Sequence, residues 1–299
     1  ARDPERRYNP QKALPGAKSI IIVALNYYSE SNGPIKIGRY AHAKADYHKV
    51  FEQKLKRMQK ALEMNFKASQ SKFYVDYGPL MERPYAAQAS MGFIGKNTLL
   101  ITKPYGSWVL LGEILTTLQL TPETPEKHGS CGSCQRCLDI CPTGALKGPY
   151  DLDSRLCISY LTIEYKGSIP LELRKKMGTW LFGCDLCQEI CPHNARAQAF
   201  VPQAWRNEAI AEDLKNPDYI QSLSFLKKIL SLTSDTAFKH FFQNTPFLRA
   251  KREGLIRNAC IVAGNLGNRE LMSHLRPLLH DTSHLIQEHA AWALAELDK

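Results

Sequence analysis

The chain has 299 residues, a formal net charge of +10 and an apolar fraction of 44%. That length accommodates two or three domains, and no stretch reaches the ~20 uninterrupted apolar residues that a membrane-crossing helix needs. No secretory signal is visible beside the nine cysteines, so a disulfide scaffold is not expected and the thiols suit a reducing cytoplasm.

Residues 1–125 read as a mixed α/β domain. They hold 18 Lys and Arg against 10 Asp and Glu, whereas residues 126–199 hold 9 against 8 and residues 200–299 hold 12 against 11. A basic first part suits an anionic partner such as nucleic acid, and it suits equally a soluble surface that happens to be basic. Ser19 to Leu25 is a continuous apolar run, expected to form a buried strand. Asp46 to Phe66 reads as a helix with Phe51, Leu55, Met58 and Leu62 on one stripe. Lys49, Lys54, Lys56, Arg57 and Lys60 fall largely off that stripe. Lys72 to Tyr77 is a second strand, which puts Asp76 at a strand end beside a Gly-Pro turn. There it can face a cleft, cap a helix or meet water. Glu82 to Met91 reads as a helix stopped by Gly92. Gly92 to Thr98 offers unobstructed backbone N–H groups with Lys96, Asn97 and Thr98, a loop suited to a phosphate or an amide-rich cofactor. A loop with two glycines also makes an ordinary turn. Thr98 to Thr102 and Trp108 to Leu115 are two more strands, with Pro104-Tyr105-Gly106-Ser107 as their hairpin turn.

A Pro-, Thr- and Glu-rich stretch at 120–130 marks a boundary, and the cysteines follow over residues 126–200. Seven of the nine lie in two runs. Cys131-x2-Cys134-x2-Cys137-x3-Cys141 precedes Pro142, and Cys184-x2-Cys187-x3-Cys191 precedes Pro192, with Leu181 where a fourth cysteine of the second run would stand. The first spacing wraps one iron–sulfur cube with three thiolates and sends the fourth to a neighbouring cube. Two 4Fe-4S clusters need eight thiolates, and Cys157 is the eighth. Exchanging fourth ligands assigns Cys131, Cys134, Cys137 and Cys191 to one cluster, and Cys141, Cys157, Cys184 and Cys187 to the other. Zinc more often takes two separate C-x2-C knuckles. Cys260 sits in a helical pattern and reads as a small buried apolar side chain.

Residues 201–299 read as helical. Leu255 to Leu266 is echoed 31 positions later by Ile286 to Leu297, and small residues in mid-helix suit stacked helical pairs.

Asp76, Glu82-Arg83 and Ser90-Met91-Gly92-Phe93-Ile94-Gly95-Lys96-Asn97-Thr98 precede the eight-cysteine set. With Cys157-Ile158-Ser159-Tyr160 and Gly183-Cys184-Asp185-Leu186-Cys187-Gln188 they resemble the epoxyqueuosine reductases over essentially the whole chain. The resemblance implies an α+β fold of three parts. Residues 1–125 would be a nitroreductase-like cobalamin-binding α/β domain and residues 126–200 a ferredoxin-like module with two 4Fe-4S clusters. Residues 201–299 would be a HEAT-like α-helical segment. It implies cobalamin-dependent reduction of epoxyqueuosine to queuosine at the wobble position of tRNA. Asp76 matches the proton donor. Arg39, Tyr40, Asp76, Lys96, Asn97 and Thr98, with Ser154 and Asp185 as weaker matches, are the expected cobalamin contacts. Two departures are visible. His193 follows Cys191-Pro192 where the family has Trp, and the chain opens close to Pro15-Gly16-Ala17 where relatives have several dozen residues before it.

Opening an epoxide and expelling its oxygen as water takes two electrons and two protons, and a carboxyl kept protonated by a covering corrin and base could give one. The implied partners are a tRNA anticodon stem-loop and a cytoplasmic electron donor, with no membrane, and a monomer is expected. Phosphate contacts are expected from the basic helix, from Arg174-Lys175-Lys176, and from Arg249, Lys251, Arg252 and Arg257. Solvated faces would look the same. A reductive dehalogenase-like enzyme acting on a small molecule and a non-enzymatic ferredoxin-like carrier are the other readings of this cofactor set.

Overall fold

The computed structural model describes residues 4–42, 46–122, 129–195, 214 and 216–299. After a short helix α1 (Pro4–Tyr8), the first apolar run forms β1 (Ser19–Asn26). Then come β2 (Lys36–Ile37), the long helix α2 (Tyr47–Asn65), β3 (Ser71–Tyr74), α3 (Glu82–Gln88), β4 (Gly92–Ile94), β5 (Leu100–Thr102) and β6 (Val109–Thr116). β6 lies between β1 and β3 and runs antiparallel to both. Side chains alternate across this sheet. Ile114 meets Phe51 and Leu55 of α2 on one face, while Leu111 meets Ala86 of α3 on the other. The sheet is therefore covered by a helix on each side.

Four expectations change in detail. β1 is half-buried along most of its length because it is an edge strand. β3 stops at Tyr74, so Asp76 sits in a bend with φ +56. Gly92 does not stop α3: the turn is made at Ser90, φ +57, and Gly92 already belongs to β4. β5 pairs with β4 rather than with β6. Both edges of β6 are already occupied by β1 and β3, so the turn at 104–107 closes only a local bridge between Thr102 and Gly106.

The cysteine-rich stretch is built of short pieces: α4 (Arg136–Asp139), β7 (Leu146–Gly148), β8 (Asp151–Leu152), α5 (Ile158–Ile163), α6 (Leu171–Arg174), β9 (Trp180–Phe182) and α7 (Leu186–Glu189). β9 pairs in parallel with β2, so this stretch shares a small sheet with the first part of the chain. Leu181, in the place of the missing cysteine, is fully buried in β9.

The remainder is helical: α8 (Pro217–Ile220), α9 (Leu223–Leu230), α10 (Asp235–Phe241), α11 (Lys251–Leu266), α12 (Met272–Leu275) and α13 (His284–Leu297). The two similar segments are α11 and α13, which pack together. At Gly264 a Cβ would stand 2.8 Å from the Trp292 ring, so the glycine is what allows the approach. One large core runs from Ile35 and Phe182 through Phe225 and Phe247 to Leu297, and Cys260 lies inside it as a fully buried free thiol. The expected boundaries at 125/126 and 200/201 fall outside the described residues.

Candidate functional site

All nine cysteines are free thiols, and eight of them line two cavities. Cys131, Cys134, Cys137 and Cys191 surround the first with Lys96, Asn97, Pro192 and His193. Cys141, Cys157, Cys184 and Cys187 surround the second with Tyr40, Thr98 and Asp185. The division is the one expected from exchanging fourth ligands. It arises because α4 and α7 each stop before their Cys-Pro pair, which turns Cys141 and Cys191 away from their own runs. Main-chain N–H groups point at sulfur: Lys96 N lies 3.4 Å from Cys131 Sγ and Ala145 N 3.3 Å from Cys141 Sγ. Such donors stabilise thiolate and tune a bound cluster. Among the described residues no three His, Cys, Asp or Glu side chains converge tightly enough for a single metal ion. Two sets of four cysteine thiols are the donor set that two 4Fe-4S cubes take.

Most main-chain N–H groups around Lys96-Asn97-Thr98 are already engaged. Gly95 N donates to Leu99 O, Thr98 N to Gly95 O, Leu99 N to the Asn97 side chain, and Lys96 N to sulfur. Lys96 Nζ donates to the carbonyls of Gly132 and Cys134 at 2.8 and 2.9 Å, pinning the first cysteine loop. Asn97 is buried between the two cavities and donates to Cys187 O at 3.3 Å. Lys96 and Asn97 are thus braces of the cysteine runs. Arg39 is also spent internally. Its Nε donates to Ser29 O and its Nη1 to Glu189 at 2.5 Å, while its guanidinium lies over Trp108. Asp185 accepts from Arg39 N at 2.8 Å, and burial pushes its carboxyl up to about 6. Ser154 is exposed and lines neither cavity. Tyr40 does line the second one, and burial pushes its phenol well up, so it remains an O–H donor.

Asp76 stands in a separate cavity of about 390 Å3 with Gly78, Glu82, Arg83 and Thr98. Arg83 and Thr98 line the four-thiol cavity too, so the two spaces share a wall. The wall is tied together by Arg83 Nη1, which donates to Thr98 O. Asp76 Oδ2 accepts from Tyr47 OH at 3.0 Å and lies 3.4 Å from His48 Nε2 and 3.7 Å from Arg249 Nη1. The His48 hydrogen bond is the chief reason why its carboxyl is held below the usual range. In the bare protein this is opposite to the raised value expected under a corrin and base. Beneath the loop, Glu82 Oε1 accepts from Asp76 N at 2.6 Å. Burial pushes Glu82 up to about 7 and Glu113, whose carboxylate oxygens are buried without partners, up to about 8.

Three arginines expected at tRNA are interior. Arg174 pairs with Glu288, Arg252 with Asp281, and Arg257 donates to the carbonyls of Leu161, Tyr165 and Gly167. Lys49, Lys56, Arg57, Lys60, Lys176, Arg249 and Lys251 are exposed. Tyr47, His48, Arg83 and the approach of Arg249 to Asp76 were not expected from the sequence. The signal for the first two was Asp46-Tyr47-His48 at a helix start.

Residues 130–194 match the 4Fe-4S double cluster binding domain, and residues 7–77 match the epoxyqueuosine reductase QueG family model (DUF1730). The epoxyqueuosine reductase of Francisella cf. novicida is 34% identical over 97% of this chain and 82% of its own length. That of Gloeobacter violaceus is 39% identical over 91% and 84%. Among solved structures, an epoxyqueuosine reductase with an epoxyqueuosine-modified tRNA-Tyr stem loop superposes with TM-score 0.88 at 33% identity, covering 100% of this chain and 78% of that one. The Bacillus subtilis enzyme, with its catalytic aspartate loop swung out of the active site, superposes with TM-score 0.86 at 33% identity over 99% and 78%. With the eight cysteines divided between two cavities and relatives matched along nearly its full length, this chain belongs to the epoxyqueuosine reductase family of oxidoreductases.

Proposed function

We propose that this protein reduces epoxyqueuosine to queuosine at the wobble position of tRNA, using two 4Fe-4S clusters, a cobalamin and Asp76 as the acid. The observation that carries this is the shared wall: Arg83 and Thr98 line both the Asp76 cavity and the inner four-thiol cavity. A cofactor lying along that wall would have thiolates on one side and a carboxyl on the other.

Cys131, Cys134, Cys137 and Cys191 would hold the outer cluster, beside the exposed residues Gly132 and Ser133, where a cytoplasmic electron donor can approach. Cys141, Cys157, Cys184 and Cys187 would hold the inner one. Bound cobalamin would supply a centre able to deliver at carbon the electrons that cubes give singly. Tyr40, Arg83 and Thr98 are the side chains we assign to it, with Asp76 closing the far side. We read residues 1–125 as nitroreductase-like, 126–200 as ferredoxin-like and 201–299 as HEAT-like. The sheet between two helices and the α11–α13 pair support this.

Asp76 would give its proton to the epoxide oxygen as that oxygen leaves. Covering the site removes water from the carboxyl and raises its proton affinity, which reverses the low resting value. The substrate is a nucleotide, so its phosphates need cations and its base must be splayed out. Arg249, from the turn before α11, lies 3.7 Å from Asp76 Oδ2, and Lys166 Nζ donates to its carbonyl at 2.9 Å with Lys251 nearby. The neighbour solved with a modified stem loop supports the same substrate class.

The test is Asp76→Asn. Asn tolerates the left-handed φ that Asp76 adopts, so fold, iron content and cobalamin uptake should persist. Single-turnover conversion of an epoxyqueuosine stem-loop under excess reductant should fall by roughly a hundredfold or more. Near-normal turnover would remove Asp76 as the acid.

A further inference from the structure

We infer that His48 is the positioning residue that holds the reaction's proton in the resting enzyme and passes it to Asp76, with Asp46 fixing the ring from behind. The inference rests on the reading of Asp76 as the acid.

Both ring nitrogens of His48 face carboxylates. Nδ1 lies 2.8 Å from Asp46 Oδ1, and Nε2 lies 3.4 Å from Asp76 Oδ2. A neutral imidazole has one N–H and would turn its other lone pair toward a carboxylate oxygen. An imidazolium gives each carboxylate a donor. Asp46 cannot easily turn away, because the same oxygen caps α2 by accepting from His48 N at 3.1 Å. Tyr47 is stacked on the His48 ring with centroids 4.0 Å apart, which limits its rotation. Among the described residues, the ionisable groups around the ring are Asp46 and Tyr47 on its own helix, Asp76, Tyr77 and Glu82 after β3, and Arg249 from the helical segment. Burial alone would lower the ring's proton affinity, but hydrogen bonds to Asp46 and Asp76 outweigh it and hold His48 at about 9.

The resting pair is therefore imidazolium and carboxylate, and the proton is not on Asp76. When substrate covers the opening and its phosphate draws Arg249 away, Asp76 loses a stabilising cation along with its water. One proton then crosses from His48 Nε2 to Asp76 Oδ2, leaving two neutral groups, and Asp76 delivers it to the departing oxygen. The imidazole then regains a proton from solvent. No electron moves in this step.

The experiment compares His48→Gln, Asp46→Asn and Asp76→Asn in the cluster- and cobalamin-loaded enzyme, with wild type as reference. Single-turnover rates are measured across pH with excess reductant, and the His48 ring is titrated by 15N NMR. In wild type the ring should be doubly protonated at neutral pH and lose its proton near 9, with the rate falling as pH rises through that value. His48→Gln should be slowed about tenfold or more, with its alkaline fall moved to lower pH. Asp46→Asn should move ring titration and rate profile down together. A neutral His48 ring at pH 7 overturns the inference, as does a His48→Gln enzyme slowed equally at every pH. If Asp76→Asn is inactive while His48→Gln keeps the wild-type rate and profile, Asp76 remains the acid and the relay falls. Full activity in Asp76→Asn removes both.

Discussion

At the scale of single residues, the cysteines were legible because spacing limits reach: three thiols two residues apart can only cap one face of a cube. Cys157 tests that logic, since it lies outside both runs and still lines the inner cavity. Cys157→Ala should lose or degrade one cluster, about half the iron, whereas Cys260→Ala, in an apolar core, should keep both. Full iron and an unchanged visible spectrum in Cys157→Ala would exclude it as a ligand. The carboxylate partners were not legible. His48 and Arg249 reach Asp76 from α2 and from the turn before α11; Asp46-Tyr47-His48 at a helix start marks a polar cluster, but only tertiary packing determines that it meets Asp76. Arg39 shows the converse. The family resemblance places it at the cofactor, whereas its guanidinium is engaged by Ser29, Asp185 and Glu189.

Elements were read well where periodicity ran long and poorly where they are short. α2 and β1 agree with the sequence almost to the residue, α2 because it buries a repeating face and β1 because its apolar run is long and continuous. The β5–β6 hairpin was wrong because adjacency in sequence does not reveal that both edges of β6 are taken. β6 also carries an unusual load in Glu113, a 1% exposed carboxyl inside the sheet. Burial first, then repulsion from Glu82, raises it from 4.5 to about 8. The folded state thus holds a proton that the unfolded chain has released, so this contribution to stability is full below about 4.5 and is lost as pH climbs to about 8. Glu113→Gln, uncharged throughout, should gain stability relative to wild type as pH rises across that window. Thermal melts at stepped pH read the difference, and a constant difference would mean that Glu113 is ionised in the fold.

At the scale of the whole molecule, a count of basic residues overstates the surface available to nucleic acid. Arg174, Arg252 and Arg257 hold the interior together, and replacing them should destabilise the fold rather than report on tRNA. The exposed cations around Arg249, which itself lies 3.7 Å from Asp76, are the better test. Stem-loop affinity should fall steeply with salt, and Lys166→Gln with Lys251→Gln should flatten that dependence. The log–log slope should drop by about 0.7–0.9 for each phosphate that one of these lysines neutralises. Cobalamin uptake should not change. A slope that ignores both substitutions would place the stem-loop elsewhere.

The parallel pairing of β2 with β9 has a consequence for anyone wishing to rebuild this enzyme. The cysteine stretch cannot be lifted out and replaced by another two-cluster module joined at its ends. Such an exchange would strip β2 of its partner. It would also remove Phe182 from the core that continues into α9 and α11, and take away the Asp185 carboxylate that holds Arg39. The spacing between the cysteine cavities and Asp76 is set by this shared framework, not by a linker, so transplantation would have to carry β2, β9 and α11 together.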